Sequence, residues 1–166
     1  MHKIGDKIIY GANGVMTIVD IREESVGDVS RSYYVLIPTN GRSTSLTFVP
    51  TDNEKLLSSM YPLLTRDEIV ELIRKSRCVE PIAWVNENRA RGEFFKRVME
   101  SGDRLQMFAM IRAIDESEKR REAIGKKNFL TDETARHKAL RLLYSEFAIV
   151  LDIPEENVGT FINSIE

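Results

Sequence analysis

Residues 4–50, IGDKIIYGANGVMTIVDIREESVGDVSRSYYVLIPTNGRSTSLTFVP, decide the fold. Short runs rich in β-branched and aromatic residues alternate here with turn residues. The runs predict strands at Lys7–Tyr10, Val15–Arg22, Ser32–Pro38 and Ser45–Pro50. Gly5-Asp6, Asn13-Gly14, Gly27-Asp28 and Asn40-Gly41 separate them, and such residues enter left-handed backbone conformations with little strain. Several strands in so short a stretch suit a small, strongly bent sheet or SH3-like barrel. Its expected interior is Ile8, Tyr10, Val15, Ile18, Val35, Ile37 and Val49. A module this small leaves little room for a buried catalytic pocket, but its strand edges can accept a partner's strand.

Beyond Pro50 the pattern changes period. Residues 51–64, TDNEKLLSSMYPLL, hold too little glycine and serine for a flexible tether and read as a structured connector. Thr65 and Glu68 then form a T-x-x-E capping box, and Ile69, Val70, Leu72 and Ile73 follow on one helical face. Arg74, Lys75 and Arg77 gather at the end of that helix, where cations complement its dipole. Pro81 suits the first turn of a second helix, Asp103 and Gln106 open a third that runs to about Ala123, and Thr131-Asp132-Glu133 starts a fourth. Pro154 restarts the chain for a short last one. The expected fold class is α+β: a small β-barrel over residues 1–54, a connector over 55–64, and a bundle of about five α-helices over 65–166.

The second helix carries the most informative stretch, Ile82–Asp103, IAWVNENRARGEFFKRVMESGD. It holds the only tryptophan, Trp84, followed by Arg89, Arg91, Lys96 and Arg97. An aromatic beside cations at helical spacing is either a nucleic-acid wedge with phosphate anchors or an amphipathic helix whose tryptophan belongs to the core. Lys126-Lys127 add two cations in the following loop. The chain as a whole has a net charge of −2, so it has no blanket affinity for a polyanion. Residues 84–127, however, hold eleven Lys or Arg against eight Asp or Glu, whereas residues 142–166 hold five acids and no cation. Contact with nucleic acid would therefore be local and oriented.

Enzyme chemistry is not expected. His2 and His137 have no metal-ligand spacing with Cys78, and neither a Walker loop nor a G-x-G-x-x-G run is present. No cofactor, metal or small-molecule substrate is implied. The single cysteine, the absence of a signal-peptide core at MHKIGDKIIYGANG and the absence of a membrane-length apolar run point to a cytoplasmic protein.

Both halves resemble the CarD family of bacterial transcription regulators, whose opening domain is shared with transcription-repair coupling factors. Ile4-Gly5-Asp6-Lys7, Ile9-Tyr10, Asn13-Gly14-Val15, Tyr33-Tyr34-Val35-Leu36 and Val49-Pro50 follow the opening domain in order and spacing. The resemblance implies a Tudor-like barrel that binds the RNA polymerase β subunit through an edge strand. Glu24 and Phe48 stand where relatives often carry polymerase-facing arginines, with Arg22, Arg31 and Arg42 nearby; Arg22, Glu24, Arg42 and Phe48 are the candidate polymerase contacts. Trp84, Arg89, Arg91, Lys96, Ser101-Gly102-Asp103 and residues 142–148, LLYSEFA, resemble the family's second domain. That domain implies contact with promoter duplex DNA near the opening bubble. Trp84 would be a minor-groove wedge, and Arg89, Arg91, Lys96, Arg97, Lys126 and Lys127 would clamp phosphates. Trp84 lies four residues further from Ser101 than in the best-studied members, a shift of about 6 Å along a helix. A protein-binding adaptor that uses the strand edge and never touches DNA is the rival expectation.

Overall fold

The structure is a computed structural model that describes residues 2–26, 28–41 and 44–166, so Gly27 and Arg42 lie outside the described residues. It comprises two units, Met1–Leu63 and Leu64–Glu166.

The first unit is an antiparallel sheet of β1 (Lys7–Tyr10), β2 (Val15–Val26), β3 (Val29–Pro38), β4 (Thr47–Pro50) and β5 (Met60–Pro62), with a four-residue helix α1 (Glu54–Leu57) before β5. The strands pair in the order β4-β3-β2-β1-β5. β4 and β5 occupy opposite edges and do not pair with each other among the described residues, so the sheet is open where a closed SH3/Tudor-like barrel was expected. The ladder bulges between Ile18 and Asp20, leaving Val19 unpaired, and such an insertion bends the strand and increases its twist. Ile8, Met16, Ile18, Tyr34, Leu36, Val49 and Met60 form one buried cluster, with Tyr10, Leu56 and Leu57 packed against it. Ile18 faces Leu36 across the ladder, so Leu36 and Tyr34 take the places in that cluster expected for Val35 and Ile37. Val35 is buried on the opposite face beside its partner Phe48, and Ile37 is half-buried.

β2 and β3 run further than the hydrophobic alternation predicts. Residues 21–25 and 29–31 are exposed, so no alternation marks them. Ser30 Oγ instead donates to Glu23 Oε1 at 2.6 Å, and Ser25 Oγ donates to Ser30 Oγ at 3.3 Å, tying the arm together through polar side chains. β5 arises within the stretch read as connector and pairs with β1.

The second unit contains α2 (Arg66–Cys78), α3 (Asn88–Glu100), α4 (Arg104–Ala123), α5 (Leu130–Leu151) and α6 (Val158–Ser164). The capping box forms as expected: Thr65 N–H donates to Glu68 Oε2 at 2.7 Å, and Glu68 N–H donates to Thr65 Oγ1 at 3.3 Å. Gln106 N–H donates to Asp103 Oδ1 at 3.0 Å to open α4, and Gly102 bridges α3 and α4 at φ +71°. Buried Met107, Ala109, Met110, Ile111, Ala113 and Ile114 fall on several faces of α4, as expected of a helix packed by α2, α3 and α5. Arg104 of α4 and buried Glu146 of α5 form a two-point ion pair at 3.0 and 2.8 Å, and Leu64 N–H also donates to Glu146 at 2.9 Å. The cations at the end of α2 are structural. Arg74 Nε donates to the Glu166 carbonyl at 3.0 Å, Arg77 donates to the Ile162 and Ile165 carbonyls, and Lys75 pairs with Glu71 at 2.6 Å.

One expected helix start moves. Residues 79–87 contain no helical segment, and α3 begins at Asn88. Glu87 is its cap, accepting from Arg89 N–H at 2.9 Å and Ala90 N–H at 2.6 Å. The carbonyls of Val85 and Asn86 accept from the Arg91 guanidinium at 2.9 and 3.3 Å, which satisfies them without a helical turn. Trp84 therefore sits on an irregular segment that precedes the helix, and not inside it. α5 likewise starts at Leu130 with no side-chain cap, because Asp132 turns inward.

Candidate functional site

In the first unit, Arg22 on β2 faces Tyr33 on β3, and Phe48 lies on the edge strand β4. The Arg22 guanidinium lies 5.9 Å from the Phe48 ring centre, and the Tyr33 and Phe48 rings meet edge-on at 6.4 Å. Asp20 Oδ2 accepts from Arg22 at 3.3 Å. The result is an exposed patch with an aromatic centre and a cationic rim, beside a strand that pairs with β3 alone among the described residues. Arg22 and Phe48 thus come together. Glu24 is exposed further along the arm, opposite Arg31, which pairs with Asp52 at 3.1 Å.

The second unit builds a different centre around Arg91. Its side chain is buried, and all five of its N–H donors have acceptors. Nε and Nη2 donate to the two Asp132 carboxylate oxygens at 2.9 and 3.1 Å. Nη1 donates to the Val85 and Asn86 carbonyls, and Nη2 also donates to Asn88 Oδ1 at 2.8 Å. The guanidinium carbon lies 4.6 Å from the Trp84 ring centre and 5.0 Å from that of Phe129. Arg121 adds a further contact, 3.9 Å from the Phe129 ring centre, and its Nε donates to the Lys127 carbonyl at 2.8 Å. Trp84, Arg91, Phe129 and Arg121 form a continuous chain of aromatic and cationic contacts, each link favoured by attraction between cation and ring face. Trp84 also meets Phe95 edge-on at 6.3 Å and is half-buried.

Arg91 is therefore a brace under Trp84; no N–H donor is left over for a phosphate. Arg89 and Lys96 lie on α3 roughly 140–160° from Arg91 by helical spacing. Both are exposed, paired with Glu93 at 3.5 Å and Glu100 at 3.8 Å. Arg97 is exposed, 5.8 Å from the Phe94 ring centre. Lys126 and Lys127 are exposed in the loop tied to Arg121. A recess of about 440 Å³ opens beside Trp84, lined also by Asn86, Arg91, Ser117, Arg120, Arg121, Ile124 and Phe129, with no carboxylate among its lining residues. Sequence reasoning misses Arg120, Arg121, Phe129 and Asp132. Two arginines in the last turn of a helix read as dipole partners, and nothing local marks Asp132 as the mate of a residue in another helix.

The family described as CarD-like/TRCF RID domain matches residues 2–61, which fall within the sheet unit. No curated protein matches the chain. No helix among the described residues is long and apolar enough to cross a membrane.

Proposed function

We propose that the chain, whose residues 2–61 match the CarD-like/TRCF RID domain, is a CarD-like protein and a cytoplasmic bacterial transcription regulator. In this reading the sheet unit binds the RNA polymerase β subunit through β4 and the Arg22–Tyr33–Phe48 patch. The helical unit contacts promoter DNA near the opening bubble, without strong sequence preference, and stabilises the open complex. Neither step calls for a cofactor or an enzymatic activity.

The observation that carries the DNA half is the bracing of Trp84. A wedge that unstacks bases works best if its ring is already fixed, since ordering it on binding would consume part of the gain. Arg91 and Phe95 fix the half-buried ring on two sides. Unstacking a step takes a few kcal/mol, which an apolar wedge partly offsets. A net gain of only about 1.4 kcal/mol in the open complex is tenfold in its equilibrium constant. Tethering through polymerase supplies a high effective concentration, so a slightly acidic chain can act on DNA with few phosphate contacts. Arg89, Lys96, Arg97, Lys126 and Lys127 are the exposed candidates for those contacts.

The test is capture by the polymerase β-subunit lobe, followed by a DNA mobility shift of the captured complex across a salt series. Capture with a salt-sensitive shift supports the reading. Capture without any shift at low salt leaves the adaptor as the function, and absence of capture at low salt removes the polymerase assignment.

A further inference from the structure

The recess beside Trp84 has a composition that a wedge alone does not explain. A wedge needs an apolar ring at a surface, not a concavity with cationic walls. This one is bounded by Trp84, Phe129 and Ile124 as apolar surfaces, by Asn86 and Ser117 as hydrogen-bonding groups, by Arg120 and Arg121 as cations, and by Arg91, whose own donors are engaged within the protein. Ile124 is 67% exposed, a large aliphatic side chain held at the rim with little to pack on. Arg121 is anchored on the Phe129 ring and the Lys127 carbonyl, whereas Arg120 is exposed and has no ion-pair partner among the described residues. The volume, about 440 Å³, is in the range of small-molecule sites.

We infer that this recess binds a single nucleotide, with its base against Trp84 and Ile124 and its phosphate on Arg120. Planar bases stack on aromatic faces whatever their identity, and a neighbouring cation holds the backbone. The asparagine and serine can donate to or accept from the Watson–Crick edge of a base, and inside a duplex that edge is taken by the partner base while both ring faces are covered by neighbouring bases. The ligand is thus an unpaired nucleotide, either within a melted strand or free in solution. The inference rests on the DNA-binding reading above and changes it in one respect: Trp84 would hold a base already out of the stack as well as wedge the step open.

Trp84 is the sole tryptophan, so its fluorescence reports on this site alone. The full chain is titrated with a single-stranded oligothymidylate of about ten nucleotides, with thymidine 5′-monophosphate, and with a blunt duplex of equal length. Saturable quenching by the single strand that exceeds quenching by the duplex is expected. If the monophosphate quenches as well, a free nucleotide suffices; if only the strand does, the ligand is part of a chain. Arg120→Ala and Ile124→Asp, both at exposed positions, are expected to weaken that binding about tenfold each while leaving the circular dichroism spectrum unchanged. No quenching by either single-stranded probe, equal quenching by the duplex, or variants that bind as the parent does would overturn the site. Open-complex lifetime is measured in parallel. A lifetime that still lengthens while Trp84 emission stays fixed removes the recess and keeps the regulator, whereas an unchanged lifetime removes the regulator itself.

Discussion

The Arg91 guanidinium stands between the Trp84 ring, 4.6 Å away, and the Asp132 carboxylate, which it grips at 2.9 and 3.1 Å. One buried cation thereby joins the irregular segment before α3, α3 itself and the start of α5. The residue that the family resemblance casts as a phosphate clamp has its five N–H donors engaged within the protein, beside the Trp84 ring.

Removing Asp132 should expose that dependence. Asp132→Ala leaves a buried guanidinium uncompensated, which typically costs about 3–5 kcal/mol. Denaturant unfolding should show the loss, and Trp84 emission should shift to longer wavelength as its brace loosens. The double variant Arg91→Met with Asp132→Leu should recover much of the stability without restoring the native Trp84 spectrum, because apolar packing replaces the pair but not the cation over the ring.

Trp84→Ala is expected to shorten open-complex lifetime by about tenfold, the equivalent of about 1.4 kcal/mol, while capture by the polymerase lobe is unchanged. Trp84→Phe should retain part of the effect, since a smaller ring still wedges. An alanine variant with the parental lifetime would remove Trp84 from the mechanism.

On the sheet unit, Phe48→Ala and Arg22→Ala should each weaken capture by the β-subunit lobe, by at least about 2 kcal/mol for the aromatic if it is the centre of the contact. Leu36→Ala should instead lower the stability of this unit by about 2–5 kcal/mol, because it opens a cavity in the buried cluster. Titration calorimetry and thermal melts separate the two effects.

Acid should loosen the start of α3. Hydrogen bonds from the Ala90 and Arg89 backbone N–H groups hold the Glu87 carboxyl below its ordinary value of 4.5, and the Thr65 backbone and side chain do the same for Glu68 on α2. A lowered value in the folded state means that the stabilisation is present above pH 4.5 and is lost as the pH falls through the lowered value. The melting temperature should therefore drop on acidification through that window. Glu87→Gln should be less stable than the parent at neutral pH and should converge with it in acid.

Gly102→Ala should destabilise the helical unit by about 1–2 kcal/mol. The residue joins α3 to α4 at φ +71°, where a Cβ meets the neighbouring carbonyl, and chemical denaturation measures the loss.

Much of this architecture can be read along the chain. The Thr65–Glu68 and Asp103–Gln106 caps, the bounds of α4 and the first strand rest on interactions between near neighbours in sequence, so the residues that make them stand next to one another on the page. The arm of β2 and β3 is less visible because both of its faces are exposed and no apolar period marks it. β5 is three residues long and owes its existence to β1, whose paired residues lie 50 to 54 positions earlier.

The candidate site divides in the same way. The sequence by itself determined that Trp84 is unique, that cations surround it in the chain and that Phe48 and Arg22 belong to a β module. Only the tertiary structure decided that Arg91 is buried, that α3 starts after Trp84, and that Arg120 and Arg121 join the recess while Arg89 and Lys96 lie around on the exposed face of α3. The physical reason is that burial is a property of distant partners. Asp132 lies 41 residues from Arg91, and the desolvation of both charges is repaid only when the fold brings them within hydrogen-bonding distance.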